Sequence, residues 1–383
     1  MKHARVMAAV MMAAGLVLAA AGAPAGENEA KAPAKADRQR HVDLVICLDT
    51  SGSMSGLIAS AKKKLWAVVN ELATAKPKPV LRVGLYHYGN DGLNKEDGWV
   101  KQLSPLTDDL DGVYGKLFAL RTNGGTELVA RVIRAATNEL DWNRDKGTLR
   151  MIFVAGNEPA TQDKTHDLQA MCKAAATKGI IVNTIHCGGE ALGRRTGWAD
   201  AARWADGQYA AIDQNRGTVV INTPYDKRLS TLSAELNATY VTYGARGRAR
   251  QANQVMQDKN AASLSPSASA GRAVSKGSGL YRNASWDLVD AVKEEKVDLA
   301  KVKKADLPEE MQGMTAAQRK AHVAKMAARR AEIQKEIRKL GEQRSAHIKK
   351  EMARKGLDES SSFDAALRSA VRTQAQKKNF KFK

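Results

Sequence analysis

The chain has 383 residues, enough for one large domain plus an appendage. Lys and Arg number 61 against 41 Asp and Glu, a formal net charge of +20, which attracts anionic partners at long range. Its three cysteines, Cys47, Cys172 and Cys187, form no C-x-x-C pair and no His/Cys cluster, which excludes a zinc ribbon, and no Walker loop, H-E-x-x-H or G-x-S-x-G occurs.

Met1-Lys2-His3-Ala4-Arg5 precedes an apolar run from Val6 to Ala20, and Ala21-Gly22-Ala23 and Ala23-Pro24-Ala25 each supply an A-x-A exit. A basic start, a short apolar run and small residues predict a secretory signal peptide over residues 1–25, hence a periplasmic or secreted protein. No cysteine near the exit favours a lipid anchor, and no later segment is apolar enough to span a bilayer. Residues 26–40 are charged and aperiodic and read as a linker.

Val42 to Leu48 is a short aliphatic run that reads as a buried parallel strand. Leu57, Ile58, Ala61, Leu65, Val68, Val69 and Leu72 then recur at helical spacing, and Pro77 and Pro79 stop that helix. Val80 to Tyr88 is the second strand, and Trp99 to Leu103 pairs back on it as a hairpin after the Gly89-Asn90-Asp91-Gly92 turn. Helices follow from Thr107-Asp108-Asp109 and after the loop Thr122-Asn123-Gly124-Gly125-Thr126-Glu127. Met151 to Val154 and Ile180 to Ile185 are further strands, with a helix from Asp167 to Ala176 between them. A short helix over Trp198 to Trp204, a strand at Tyr209 to Ile212 and a helix from Asp226 to Leu236 complete the alternation. The fold class is therefore α/β: a doubly wound, mostly parallel sheet over residues 41–245, with only the second and third strands antiparallel.

Residues 246–284 contain a Ser/Ala/Gly-rich stretch and read as a mobile linker. Residues 285–383 read as a basic helical extension. Thr315-Ala316-Ala317-Gln318 has capping-box form, and Val323, Met326, Ile333, Ile337, Leu340, Ile348 and Met352 make a thin apolar stripe that Arg330 and Arg344 interrupt. This is one long helix or a helix pair of weak coiled-coil character. Cys172 and Cys187 are read either as one disulfide or as two separate buried thiols.

The loop after the first strand, Asp49-Thr50-Ser51-Gly52-Ser53, presents one carboxylate and two hydroxyls, a donor set suited to hard divalent cations. In an open α/β sheet, such a loop lies at the carboxyl end of the strands, where ligands bind. D-x-S-x-S in this setting resembles the metal-ion-dependent adhesion site of von Willebrand factor type A (VWA) domains, and the likeness covers about His41 to Gly244. Leu57 to Asn70, Thr122-Asn123-Gly124-Gly125, Ala155-Gly156-Asn157-Glu158-Pro159 and Asn183 to Gly188 resemble a bacterial exported subset of these domains.

The resemblance implies that Ser51 and Ser53 bind the cation directly, that Asp49 acts through water, and that Thr126 completes one side. The family's Thr-Asp-Gly after the fourth strand is absent; by register, Gly156 stands where the Asp belongs, and Asn157 or Glu158 substitutes. The implied ion is Mg²⁺, Mn²⁺ or Ca²⁺ at a weakened site, because affinity tracks ligand charge; a metal-free loop is the alternative. A protein partner would complete the shell through an acidic side chain, held without being transformed.

Catalysis is not expected. Ser51 and Ser53 lack a positioned base in sequence, and His186 and Cys187 are adjacent strand residues that point to opposite sheet faces. The alternative function is binding of anionic envelope polymers through the basic C-terminal region; few aromatics there argue against sequence-specific nucleic-acid reading. Tyr86, Tyr88 and Trp99 read as core or hairpin residues rather than as part of the rim.

Overall fold

The structure is a computed structural model in which residues 40–212, 220–356 and 362–382 are described. The expected signal peptide and most of the first linker lie outside the described residues. These described residues form one compact unit.

In chain order the first half comprises β1 (His41–Asp49), α1 (Ser55–Ala73), β2 (Ala75–Lys76), β3 (Val80–Tyr88), β4 (Val100–Thr107), α2 (Leu110–Ala119) and α3 (Val129–Glu139). Then come β5 (Leu149–Gly156), α4 (Leu168–Thr177), β6 (Ile181–His186), α5 (Glu190–Arg195), α6 (Trp198–Trp204), β7 (Tyr209–Ala211) and α7 (Asp226–Asn237). The sheet order is β4-β3-β1-β5-β6-β7, parallel throughout except for β4 against β3. The expected α/β class, strand alternation and, within this sheet, single antiparallel pair are what the chain forms.

Nearly every residue of β1 is buried, because helices cover both sheet faces. Leu44, Ile46 and Leu48 point into a cluster with Leu57, Trp66 and Val69 of α1. Val45 and Cys47 point the other way, into Val132 and Ile133 of α3 and Trp198 of α6. The strand order reverses beside β1, so the crevice between the carboxyl ends of β1 and β5 is the switch point where a ligand site belongs.

The C-terminal half corrects two expectations. Residues 246–284 are not a linker: they hold α8 (Gly247–Leu264) and α9 (Pro266–Lys276), the latter capped by the Ser265 side chain. The small residues that suggest looseness instead permit close helix packing; Ala261, Ala270 and Ala273 are all buried in the core. After α10 (Leu288–Lys293) and α11 (Glu309–Gln312), α12 (Ala316–Arg354) is one unbroken helix of 39 residues, opened by the expected capping box at Thr315 and Gln318. Its stripe packs within the same chain, against α7, α9 and α10. The helix α13 (Phe363–Lys377) places Leu367 and Val371 in the same core cluster as β1, and β8 (Lys381–Phe382) pairs with β2. The segment expected to be an appendage is thus part of the body.

The two arginines that break the α12 stripe are its anchors. Arg330 is buried and reaches Asp287 at 2.7 Å and Asp290 at 2.8 Å, with the Tyr240 ring 4.2 Å from its guanidinium carbon. Arg344 meets Asp226 at 2.9 Å. A parallel device seats α9: Arg272, fully buried, joins Asp111 at 2.7 Å and Asp258 at 2.5 Å. Cys47, Cys172 and Cys187 are free and buried, so the disulfide alternative is not realised.

Candidate metal centre

Asp49 is the last residue of β1, and its side chain is buried against the sheet. Its Oδ1 accepts the Ser51 backbone N–H at 2.8 Å, while Oδ2 is buried with no hydrogen-bond partner among the described residues. Burial pushes its carboxyl up to about 7, and the Glu127 and Glu158 charges push the same way against hydrogen bonds from Ser51. The Ser51 and Ser53 hydroxyls lie 3.2 Å apart, and Ser53 Oγ donates a long bond to Asn157 Oδ1 at 3.4 Å. Asp49, Ser51, Ser53 and Asn157 are therefore brought together from two loops.

The surrounding loops are laced by backbone bonds. Gly52 N donates to Gly124 O at 2.7 Å and Asn123 N to Thr50 O at 3.0 Å, while Asn90 Nδ2 bridges Thr50 O and Arg121 O. Gly125 has φ 140°, and a Cβ there would stand 1.8 Å from Gly89 O and 3.0 Å from Ser51 Cβ. This press of backbone against Ser51 sets the hydroxyl pair. Behind it, the Thr50 hydroxyl bonds His87 Nδ1 at 3.0 Å, and burial pulls that imidazole down to about 4, so it is neutral at pH 7.

Thr126 follows Gly125, half-buried on the same loop. Glu158 is exposed; its carbonyl accepts from Trp198 Nε1 at 2.8 Å, and its carboxylate acts on Asp49 through charge. Glu127 was not among the expected site residues. It is buried, and burial holds its carboxyl up while the neighbouring Ser51 acts in the opposite direction. The sequence signal was an acid directly after the family threonine, at a position where helix starts commonly carry solvated acids.

Gly156 ends β5 beside Asp49, and the structure gives the reason for the missing carboxylate. A Cβ there would meet Tyr88 Oη at 2.6 Å, Asp49 Oδ2 at 3.1 Å and the Trp198 ring at 3.1 Å. The Tyr88 hydroxyl, which donates to Ala155 O at 3.1 Å, fills that space. Tyr88 is thus a fully buried core residue that also floors the site; Tyr86 is buried too, with its hydroxyl on Gln102 and Glu139. Among the described residues His186 has no hydrogen-bond partner on either ring nitrogen, and burial pushes the Cys187 thiol up.

Among the described residues, no group of three or more His, Cys, Asp or Glu is arranged to hold a metal. The donors at this rim are instead two hydroxyls and an amide oxygen beside buried carboxylates. An unpartnered Asp49 oxygen that two other acids repel fits a hard divalent cation, which would relieve both penalties.

Residues 43–196 match the profile of the von Willebrand factor type A domain, and this part of the chain is a VWA domain. A protein of Acanthamoeba polyphaga mimivirus, described as an ariadne-like RING finger protein, is 27% identical over 165 residues. That alignment takes in 39% of this chain but only 16% of the relative's length. Among solved structures, the SpRpn10 VWA domain is 19% identical, covering 48% of this chain and all of that one, with a TM-score of 0.35. Proximal thread matrix protein 1 from the mussel byssus, with a zinc-occupied MIDAS motif, is 10% identical over 46% of this chain and 43% of its own, at a TM-score of 0.35. The pilus adhesin SpaC of Lactobacillus rhamnosus GG is 15% identical, covering 46% of this chain and 28% of that one, also at 0.35.

Proposed function

We propose that the chain is an exported, non-enzymatic binding module that grips an acidic side chain of a partner protein through a divalent cation at the rim of β1 and β5. The observation that carries this reading is the buried, unpartnered Oδ2 of Asp49 beside the Ser51–Ser53 hydroxyl pair. Ser51, Ser53 and Asn157 would hold the ion, with Asp49 and Glu127 beneath them and Thr126 and Glu158 at the edge. When bound, the cation supplies a charge that a partner carboxylate can complete. The residues' own part is positional. Asp49 fixes the Ser51 backbone, the Gly124-Gly125 loop fixes the Ser51 side chain, and Tyr88 with Trp198 closes the floor to water. With Gly156 in place of an acid, the site carries less charge than the family pattern, so affinity should be modest.

Calorimetric titration with Mg²⁺, Mn²⁺, Ca²⁺ and Zn²⁺ tests this. Wild type should give saturable heat with at least one ion, and Ser51→Ala/Ser53→Ala should lose it; unchanged heats in the double variant reject these serines as ligands. A second reading, binding of an anionic envelope polymer, is favoured by the outward face of α12, where Lys325, Arg329, Lys335, Lys339, Lys349 and Lys350 are all exposed. Binding of that kind falls steeply with salt and ignores EDTA. Among the described residues no helix is long and apolar enough to cross a membrane. Export is tested by cell fractionation and by the mass of the processed amino terminus.

A further inference from the structure

A cavity of about 460 Å³ lies at the opposite end of the sheet from the metal loops, between the turn before β3, the turn after α9, α10 and α12. Its size is that of a small-molecule site. Two acids line it, and both are already neutralised. Asp290 meets Arg330 at 2.8 Å, and Glu294 meets Arg282 at 2.7 Å and Lys296 at 3.0 Å. Three further lining cations remain: Lys78, Lys293 and Arg338. Among the described residues none of these three has an ion-pair partner.

The three converge despite their like charge. Gly279 makes room for the Lys78 ammonium: a Cβ at that glycine would stand 2.5 Å from Lys78 Nζ. Burial, and then the charges of Arg338 and Lys293, hold Lys78 below the ordinary lysine range. Arg338 spends one N–H on Gly277 O at 3.3 Å, which leaves most of its donor fork free. The cations come from three separate parts of the chain, so only the folded assembly of α9, α10 and α12 on the β3 end brings them together.

We propose that this cavity binds a small multivalent anion, of phosphoryl or carboxyl chemistry, through Lys78, Lys293 and Arg338. Charge-assisted bonds to an ionised oxygen are the strong class of hydrogen bond, and three donors around one cavity suit a ligand with two or more negative charges. Occupancy would tie α12 to the VWA body.

The bland alternative is that these cations serve only the carboxyl ends of α9 and α10, which finish at Lys276 and Lys293. The full chain is titrated calorimetrically with pyrophosphate and with citrate, against sodium chloride at matched ionic strength. Wild type should give saturable heat with at least one of the two, and the tighter one assigns phosphoryl or carboxyl chemistry. Lys78→Gln/Lys293→Gln/Arg338→Gln should bind roughly tenfold more weakly or not at all, and its ligand-free thermal midpoint should hold or rise as repulsion is relieved. Lys320→Gln, which removes one exposed charge elsewhere on α12, should bind as wild type does. If the triple variant does not fold, Lys293→Gln alone carries the test and should weaken binding severalfold. Heat no greater than with chloride overturns the proposal. So does equal weakening by Lys320→Gln, or a lower midpoint in the triple variant with no anion response in wild type.

Discussion

Asp49→Asn replaces a buried carboxylate by a neutral group of the same shape that still offers an oxygen to the Ser51 N–H. The carboxyl is raised from 3.8 to about 7 on folding, so the folded state holds its proton more tightly than the unfolded chain does. The contribution to stability is therefore largest below the unfolded value and is lost as pH rises from about 4 to about 7. A shift of about three units corresponds to about 4 kcal/mol at the upper limit, at about 1.4 kcal/mol per unit. In EDTA, the Asp49→Asn substitution should thus stabilise the chain by about 1 kcal/mol near pH 4.5 and by about 3–4 kcal/mol near pH 8. Urea unfolding of both proteins at the two pH values measures the difference, and other titrating groups cancel in the comparison. Saturating Mg²⁺ or Mn²⁺ near pH 8 should narrow the gap by stabilising wild type alone. A gap that does not grow with pH would refute the claim that Asp49 is a destabilising buried charge.

Three other perturbations probe separate parts of the fold. Arg330→Met strands the buried Asp287 and should cost about 3–5 kcal/mol in urea unfolding; a loss below about 1 kcal/mol would mean that α12 is not anchored there. Gly156→Asp alone should destabilise, because its Cβ would meet Tyr88 Oη at 2.6 Å, whereas Gly156→Asp/Tyr88→Ala should fold better and bind Mg²⁺ more tightly than wild type by calorimetry. Cys47, Cys172 and Cys187 should resist thiol reagents in the native state and all react in denaturant, by intact mass; two unreactive thiols without reductant would restore the disulfide.

The sheet was legible because its signals are local and redundant. Val42 to Leu48 and Met151 to Val154 are uninterrupted apolar runs, and a strand buried on both faces has no other pattern. The D-x-S-x-S loop was legible for a similar reason, since contiguous residues supply most of the donors. Glu127 was not, because nothing in Gly-Gly-Thr-Glu separates a buried acid from a solvated helix-start acid. Nor was the closure of the Gly156 position by Tyr88, which depends on the register that sets β3, β1 and β5 side by side.

The C-terminal half was misread because its packing rests on charges. Helices α9 and α12 are thin in large apolar residues, so periodicity reports them as linker and solvated helix. Their contacts come from small residues that allow close approach and from arginines that reach acids far away in sequence, Arg272 to Asp111 and Arg330 to Asp287. An arginine in the middle of an apolar stripe has two readings, an interruption or a buried anchor, and only the position of its acid decides between them. The same logic separates the neutralised arginines of the cavity from Lys78, Lys293 and Arg338: among the described residues Arg282 and Arg330 are ion-paired, and the other three are not. A basic surplus of 20 charges does not by itself define a partner surface; cations held together while the nearby acids are paired elsewhere do.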